Sequence, residues 1–125
     1  MTREVPSNLR AWFLIHFFVD IIFAIPLLIS PVWFLSLLGW EIIDPFASRL
    51  VGAALFGIGG ISLLSRNKGL ESYQSLLTLK IIWSVSAIIG ILLSIIENVH
   101  KIRLIILIMF SIFSAVWIYY KFKLS

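Results

Sequence analysis

Four apolar runs, each about as long as a bilayer is thick, constrain this chain more than anything else in it. A helix rising 1.5 Å per residue needs about 20 apolar residues to cross a hydrocarbon core of about 30 Å. The runs cover residues 9–28, 46–64, 73–96 and 102–120. His16 and Asp20 interrupt the first, which Pro31 closes, and the second stops at the polar turn Ser65-Arg66-Asn67-Lys68-Gly69. Lys80 lies inside the third, which ends at Glu97-Asn98, and Lys121 and Lys123 follow the fourth. Composition agrees, with 61% hydrophobic and 13% charged residues and a mean hydropathy of +1.08, against about 45–50% and about 25% in soluble domains. A soluble globular domain, a disordered chain and a solenoid repeat are excluded. The expected class is all-α: an integral membrane four-helix up-down bundle, a single transmembrane domain over residues 1–125. Short connections make consecutive helices antiparallel neighbours.

The first run is longer than a secretory signal core and carries Asp20, so it reads as a retained helix. Between the first two runs, Pro31 to Trp40 is apolar but too short to span. Trp33 and Trp40 prefer the headgroup level, which predicts a short interfacial segment, with a lid over the bundle mouth as the alternative.

Orientation follows from Lys and Arg near the span ends. With four spans, Arg3, Arg10, Arg66, Lys68, Lys121 and Lys123 share one side, against Arg49, Lys101 and Arg103 on the other. Six against three places both termini in the cytoplasm of a multi-pass cell-membrane protein. The basic pI of 9.8 thereby has a membrane explanation, and no basic patch with interleaved aromatics calls for nucleic acid.

Ionisable side chains inside a membrane cost about 2.5–3.5 kcal/mol on insertion scales, so each needs a partner or a wet cavity. Asp20 falls near the middle of the first span, with His16 one turn earlier on the same face. Lys80 lies in the third span and Arg49 in the first turn of the second. The expected polar cluster is His16, Asp20, Arg49, Lys80 and Ser84, with Asp20 paired to Lys80, to Arg49 or to both. Snorkelling of Arg49 or Lys80 to the headgroups is the competing reading.

Helical spacing predicts the inward faces. On the first span they are Phe13, His16, Asp20, Ala24 and Leu27; on the third, Tyr73, Leu77, Lys80, Ser84, Ala87, Ile91 and Ser94. On the second, Arg49, Ala53, Gly57 and Gly60 share a stripe, and the small residues Gly52, Ala53, Gly57 and Gly60 read as close-packing contacts rather than a ligand cradle. Pro26 removes a backbone donor and can kink the first span near Asp20. Trp83 reads as bulk at mid-depth, and Trp117, Tyr119 and Tyr120 as a cytoplasmic aromatic belt.

Several chemistries are missing. There is no cysteine, hence no disulfide, thiol-redox or cysteine-ligated metal site. The two histidines, His16 and His100, fall on opposite sides of the membrane and cannot share a metal. No nucleophile elbow, metalloprotease helix or catalytic carboxylate pair occurs, so no catalytic residue and no cofactor is assigned.

The stretch Leu37-Leu-Gly-Trp-Glu-Ile-Ile-Asp-Pro-Phe-Ala-Ser-Arg-Leu-Val-Gly-Ala-Ala-Leu-Phe-Gly-Ile-Gly-Gly60 resembles the small four-helix membrane proteins of the broad DoxX-like group. Asp44, Pro45, Arg49, Gly52 and Ala53 stand at the motif positions, over about a fifth of the chain. The resemblance implies a four-helix bundle and an accessory membrane role, sometimes beside redox enzymes of the quinone pool. Small multidrug transporters are also similar in having four helices with one membrane carboxylate in the first, but Lys80 and His16 depart from their pattern. A nearby cation would compete with a cationic drug for Asp20.

Three functions follow as expectations. The first is a non-enzymatic bundle whose polar core binds a small amphipathic ligand or serves a partner protein. The second is a proton- or ion-coupled transporter using Asp20, working as a dimer because four helices rarely enclose an alternating-access path. The third, with least support, is a lipid-modifying membrane enzyme with Asp20 and His16 as acid and base. A homodimer through the second span suits any of them.

Overall fold

The computed structural model describes residues 4–97 and 101–125, all of whose regular elements are helices. They are α1 (Ser7–Ile29), α2 (Pro31–Leu37), α3 (Pro45–Leu64), α4 (Leu70–Glu97) and α5 (Lys101–Leu124). Four of them, α1, α3, α4 and α5, are long and apolar enough to cross a membrane, at 23, 20, 28 and 24 residues. Helix α3 exceeds the hydropathy run that announced it by one residue, and α1, α4 and α5 exceed theirs by three to five. Helix α5 carries on to Leu124 because lysines are good helix formers, and Lys121 and Lys123 suit the negative end of a helix dipole. Arg3, Asn98 and His100, which entered the expectations above, lie outside the described residues.

The chain forms two compact units, Val5–Lys68 and Gly69–Ser125, the second together with Glu4. In the first, α1 and α3 pack antiparallel. A Cβ at Gly52 would meet Leu27 Cβ at 3.0 Å and the Ala24 carbonyl at 3.2 Å, and one at Gly59 would meet Asp20 Cβ at 2.8 Å. Only residues without a side chain let the two backbones come this close.

Both ends of this pair are tied by an arginine. Arg10, in the first turn of α1, donates through Nη1 to the carbonyls of Arg66 and Lys68, the latter at 3.0 Å, in the turn that follows α3. Arg49, near the start of α3, donates through Nε to Leu28 O at 3.1 Å, in the last turn of α1. The final carbonyls of a helix have no partner within it and carry its negative pole, so a guanidinium from the neighbouring helix satisfies both needs.

The connection between α1 and α3 is ordered by local chemistry. Pro31 opens α2 at its first position, where a missing N–H does no harm. Gly39, at φ 101°, ends it: Trp40 N donates to Leu35 O at 2.9 Å and Gly39 N to Ser36 O at 3.0 Å. This bond pair requires a left-handed residue, which glycine supplies without strain. Asp44 then caps α3, its Oδ1 accepting from Phe46 N at 3.0 Å and Ala47 N at 3.3 Å, with Pro45 next in line. Phe34 of α2 meets Phe23 of α1 edge-on at 5.9 Å, while Val32, Trp33 and Leu37 are exposed.

In the second unit α4 and α5 form a hairpin closed by the same device. Arg103, near the start of α5, donates to Ser94 O at 2.9 Å, in the last turn of α4. At the other end Gln74 Nε2 donates to Leu124 O at 2.7 Å, and Lys121 Nζ donates to Gln74 Oε1 at 2.9 Å and Gln74 O at 3.1 Å. Helix α4 buries Tyr73, Leu77, Lys80 and Ser84, and α5 buries Ser114, Trp117, Tyr120 and Leu124.

Candidate functional site

Helix α1 is apolar throughout its interior except at His16 and Asp20, which both fall on its buried stripe of Leu9, Phe13, His16, Asp20, Ala24 and Leu27. One helical turn separates them, and the Cα–Cβ geometry of a helix stacks such positions on one face. His16 Nε2 lies 3.3 Å from Asp20 Oδ2, within ion-pair distance. The two residues are only 4% and 5% exposed. Gly59 of α3 makes the room: the Asp20 side chain rests on its bare Cα, with Oδ2 3.4 Å from where a Cβ would stand.

Ser62, one turn along α3 from Gly59 on the same buried face, is fully enclosed, and its Oγ donates to Ile58 O at 2.8 Å. Back-bonding of this kind lets a hydroxyl sit in an apolar helix while its oxygen still accepts. Neither Gly59 nor Ser62 figured in the sequence expectations. A signal was there, since Gly52, Leu55, Gly59 and Ser62 recur at spacings of three and four.

That stripe corrects the expected packing face of α3. The buried residues are Gly52, Leu55, Gly59 and Ser62, more than a quarter turn round the helix from Arg49, Ala53, Gly57 and Gly60. Of the four small residues expected to pack, Gly52 does, against Leu27. Ala53 is exposed, and beside Gly57 and Gly60 there is open space for a Cβ. The physical reason is the shape of α1: Ala24, Leu27 and the short Asp20 side chain admit a bare backbone at 52 and 59.

Arg49 is likewise placed differently from an Asp20 partner. It is exposed and engaged with the Leu28 carbonyl, about 12 Å of helix rise from Asp20.

In the hairpin of α4 and α5, Lys80 is 1% exposed and its Nζ lies 4.9 Å from the centre of the Trp117 ring, itself 1% exposed. A desolvated ammonium over an indole face is attracted by the ring quadrupole, at about 2 kcal/mol or more when water is excluded. Phe113 stacks on Trp117 at 5.7 Å with the rings 16° from parallel, which fixes the indole plane. Ser84, one turn beyond Lys80, donates to Ile81 O at 3.2 Å. Trp117 is therefore a core residue rather than part of a surface belt; Tyr120 is buried too, and only Tyr119 is exposed, at 58%. Spacing on α5 carried that signal, since Ser114, Trp117, Tyr120 and Leu124 recur every three or four residues. Trp83 is half-buried and tilts against Phe110 at 6.2 Å.

Among the described residues no three His, Asp or Glu side chains gather as a metal set. What the arrangement offers is polar: a carboxylate, an imidazole and the Ser62 hydroxyl in one unit, an ammonium with the Ser84 and Ser114 hydroxyls in the other. Comparison with family models, curated proteins and solved structures finds no match.

Proposed function

We propose that this is a multi-pass integral membrane protein of the cell membrane that binds a small amphipathic ligand through its buried polar side chains, alone or as the accessory of a partner protein. In this reading α1, α3, α4 and α5 span in up-down order with both termini cytoplasmic, and α2 lies in the interface with Trp33 at the headgroups. The observation that carries it is the near-complete burial of His16, Asp20 and Lys80 in helices otherwise apolar. Ionisable groups at membrane depth are expensive to insert, and helices that only had to pack would do so better without them. The resemblance to the DoxX-like group belongs to the same proposal. Its motif residues also have local work here: Asp44 caps α3, Pro45 opens it, Arg49 holds the Leu28 carbonyl and Gly52 admits Leu27.

The test is native mass spectrometry of protein extracted in mild detergent, followed by identification of any small molecule that travels with it. The expected result is a molecule of fixed mass retained by the wild type and lost in Asp20→Asn. Wild-type protein that carries nothing overturns the ligand-binding reading.

A second reading, a proton-coupled transporter, is favoured by the 3.3 Å approach of His16 to Asp20, since such a pair can hold and release a proton. It predicts substrate-driven proton movement in reconstituted vesicles that Asp20→Asn abolishes; unchanged flux in that variant rejects it. A homodimer suits either reading.

A further inference from the structure

The turn that ends α3 is built unlike a simple helix stop. Arg66 N donates to Leu63 O at 3.2 Å and Lys68 N to Ser65 O at 3.0 Å, which holds the turn from within. Arg10 then covers the carbonyls of Arg66 and Lys68 with one nitrogen of its guanidinium. Carbonyls past a helix C-terminus repel anions, because they are the negative pole of the dipole. Here a guanidinium lies on them, and three positive side chains, Arg10, Arg66 and Lys68, gather at one end of the α1–α3 pair.

The carboxylates of Val5–Lys68 are elsewhere. Asp20 is about 15 Å along α1 from Arg10, and Glu41 and Asp44 lie in the connection at the opposite end. Along the sequence, the acids that flank this stretch are Glu4 and Glu71. The depth is also defined. From Arg10 to Ile29 is about 29 Å of helix, and from Pro45 to Leu64 about the same, one hydrocarbon thickness. With Ile29 and Pro45 at one membrane surface, the three cations stand at the phosphates of the other.

We infer that Arg10, Arg66 and Lys68 form a binding site for the phosphate of an anionic phospholipid in the leaflet at that end. The inference rests on the membrane reading above. Attraction of this kind acts through net charge near the surface, so a guanidinium already bonded to a carbonyl still contributes. Lys68 is exposed and Arg66 half-buried at the turn, and Arg10 keeps the turn in shape.

The experiment purifies the protein in micelles holding equal phosphatidylglycerol and phosphatidylcholine, and counts retained lipids by native mass spectrometry. Wild type is expected to retain phosphatidylglycerol preferentially. The variant Arg66→Gln with Lys68→Gln, which leaves Arg10 in place, is expected to lose about fivefold of that preference per charge removed. Lys101→Gln, a lone exposed cation at the start of α5 and on the opposite face in the up-down reading, is a control expected to keep it. Equal retention of both lipids by wild type, undiminished preference in the turn variant, or equal loss in the control overturns the site. Displacement of phosphatidylglycerol by millimolar inorganic phosphate overturns the assignment to a lipid. Carbonate-resistant insertion into phosphatidylcholine vesicles is measured in parallel: a wild type that fails to insert removes the membrane reading itself, whereas one that inserts without lipid preference removes only the site.

Discussion

The Asp20 side chain occupies the space that a Cβ on residue 59 would need, its own Cβ lying 2.8 Å from that position. The one carboxylate in the interior of α1 therefore depends on the absence of a side chain on α3. Backbone and Cβ on both sides leave little freedom to relax.

Gly59→Ala should accordingly destabilise the protein by roughly 1–3 kcal/mol, the usual range for forced overpacking. Gly57→Ala and Gly60→Ala meet open space and should gain up to about 1 kcal/mol of helix propensity. Thermal unfolding in detergent separates these, and equal midpoints for the variants at 57 and 59 would sink the packing assignment.

The Lys80–Trp117 contact should appear as a coupling energy. A double-mutant cycle of Lys80→Met and Trp117→Leu should give a non-additive term of about 2 kcal/mol, as for a desolvated cation–π pair. Additive effects would mean that the two residues are neighbours without being partners.

Loss of the Arg10 clamp should loosen the turn after α3. In Arg10→Gln, tryptic cleavage after Arg66 and Lys68 should accelerate about tenfold or more in detergent, because hydrogen bonds from a charged donor are worth about 1.5–3 kcal/mol. Cleavage at the wild-type rate would show that the turn holds itself together.

The connection between α1 and α3 should tolerate few changes. Asp44→Ala removes the acceptor for Phe46 N and Ala47 N and should cost about 1 kcal/mol. Gly39→Ala places a side chain at φ 101° and should cost about 1–2 kcal/mol. Hydrogen exchange at Trp40 and Phe46 reports each locally; protection matching wild type would exclude these roles.

Much of the candidate site was legible before any coordinates. The stripe of Phe13, His16, Asp20, Ala24 and Leu27 is buried on α1 as its spacing implied, and Tyr73, Leu77, Lys80 and Ser84 are buried on α4. Each set holds the ionisable residues of a helix whose interior has no others, so the period identifies one side. Trp117 was misjudged because its neighbours Tyr119 and Tyr120, close to Lys121, look like a headgroup belt. Two adjacent tyrosines point to different sides of a helix, and only one of them follows Trp117 inward.

What the sequence by itself determined were the four long helices, to within four residues at each end, and the polar positions inside them. These depend on interactions within a few residues, namely hydropathy over a span, the cap at Asp44 and the left-handed glycine at 39. Tertiary structure alone decided which face of α3 is buried and where Arg49 goes. Small residues at 52, 53, 54, 57, 59 and 60 lie on more than one side of α3, so the three-four spacing of Gly52, Leu55, Gly59 and Ser62 competes with that of Arg49, Ala53, Gly57 and Gly60. The choice falls to Ala24, Leu27 and Asp20 on α1, whose shapes admit a backbone at Gly52 and Gly59. With α3 turned that way, Arg49 comes to the unpaired carbonyl at the end of α1, a partner set by the meeting of two helix ends and recorded in neither sequence.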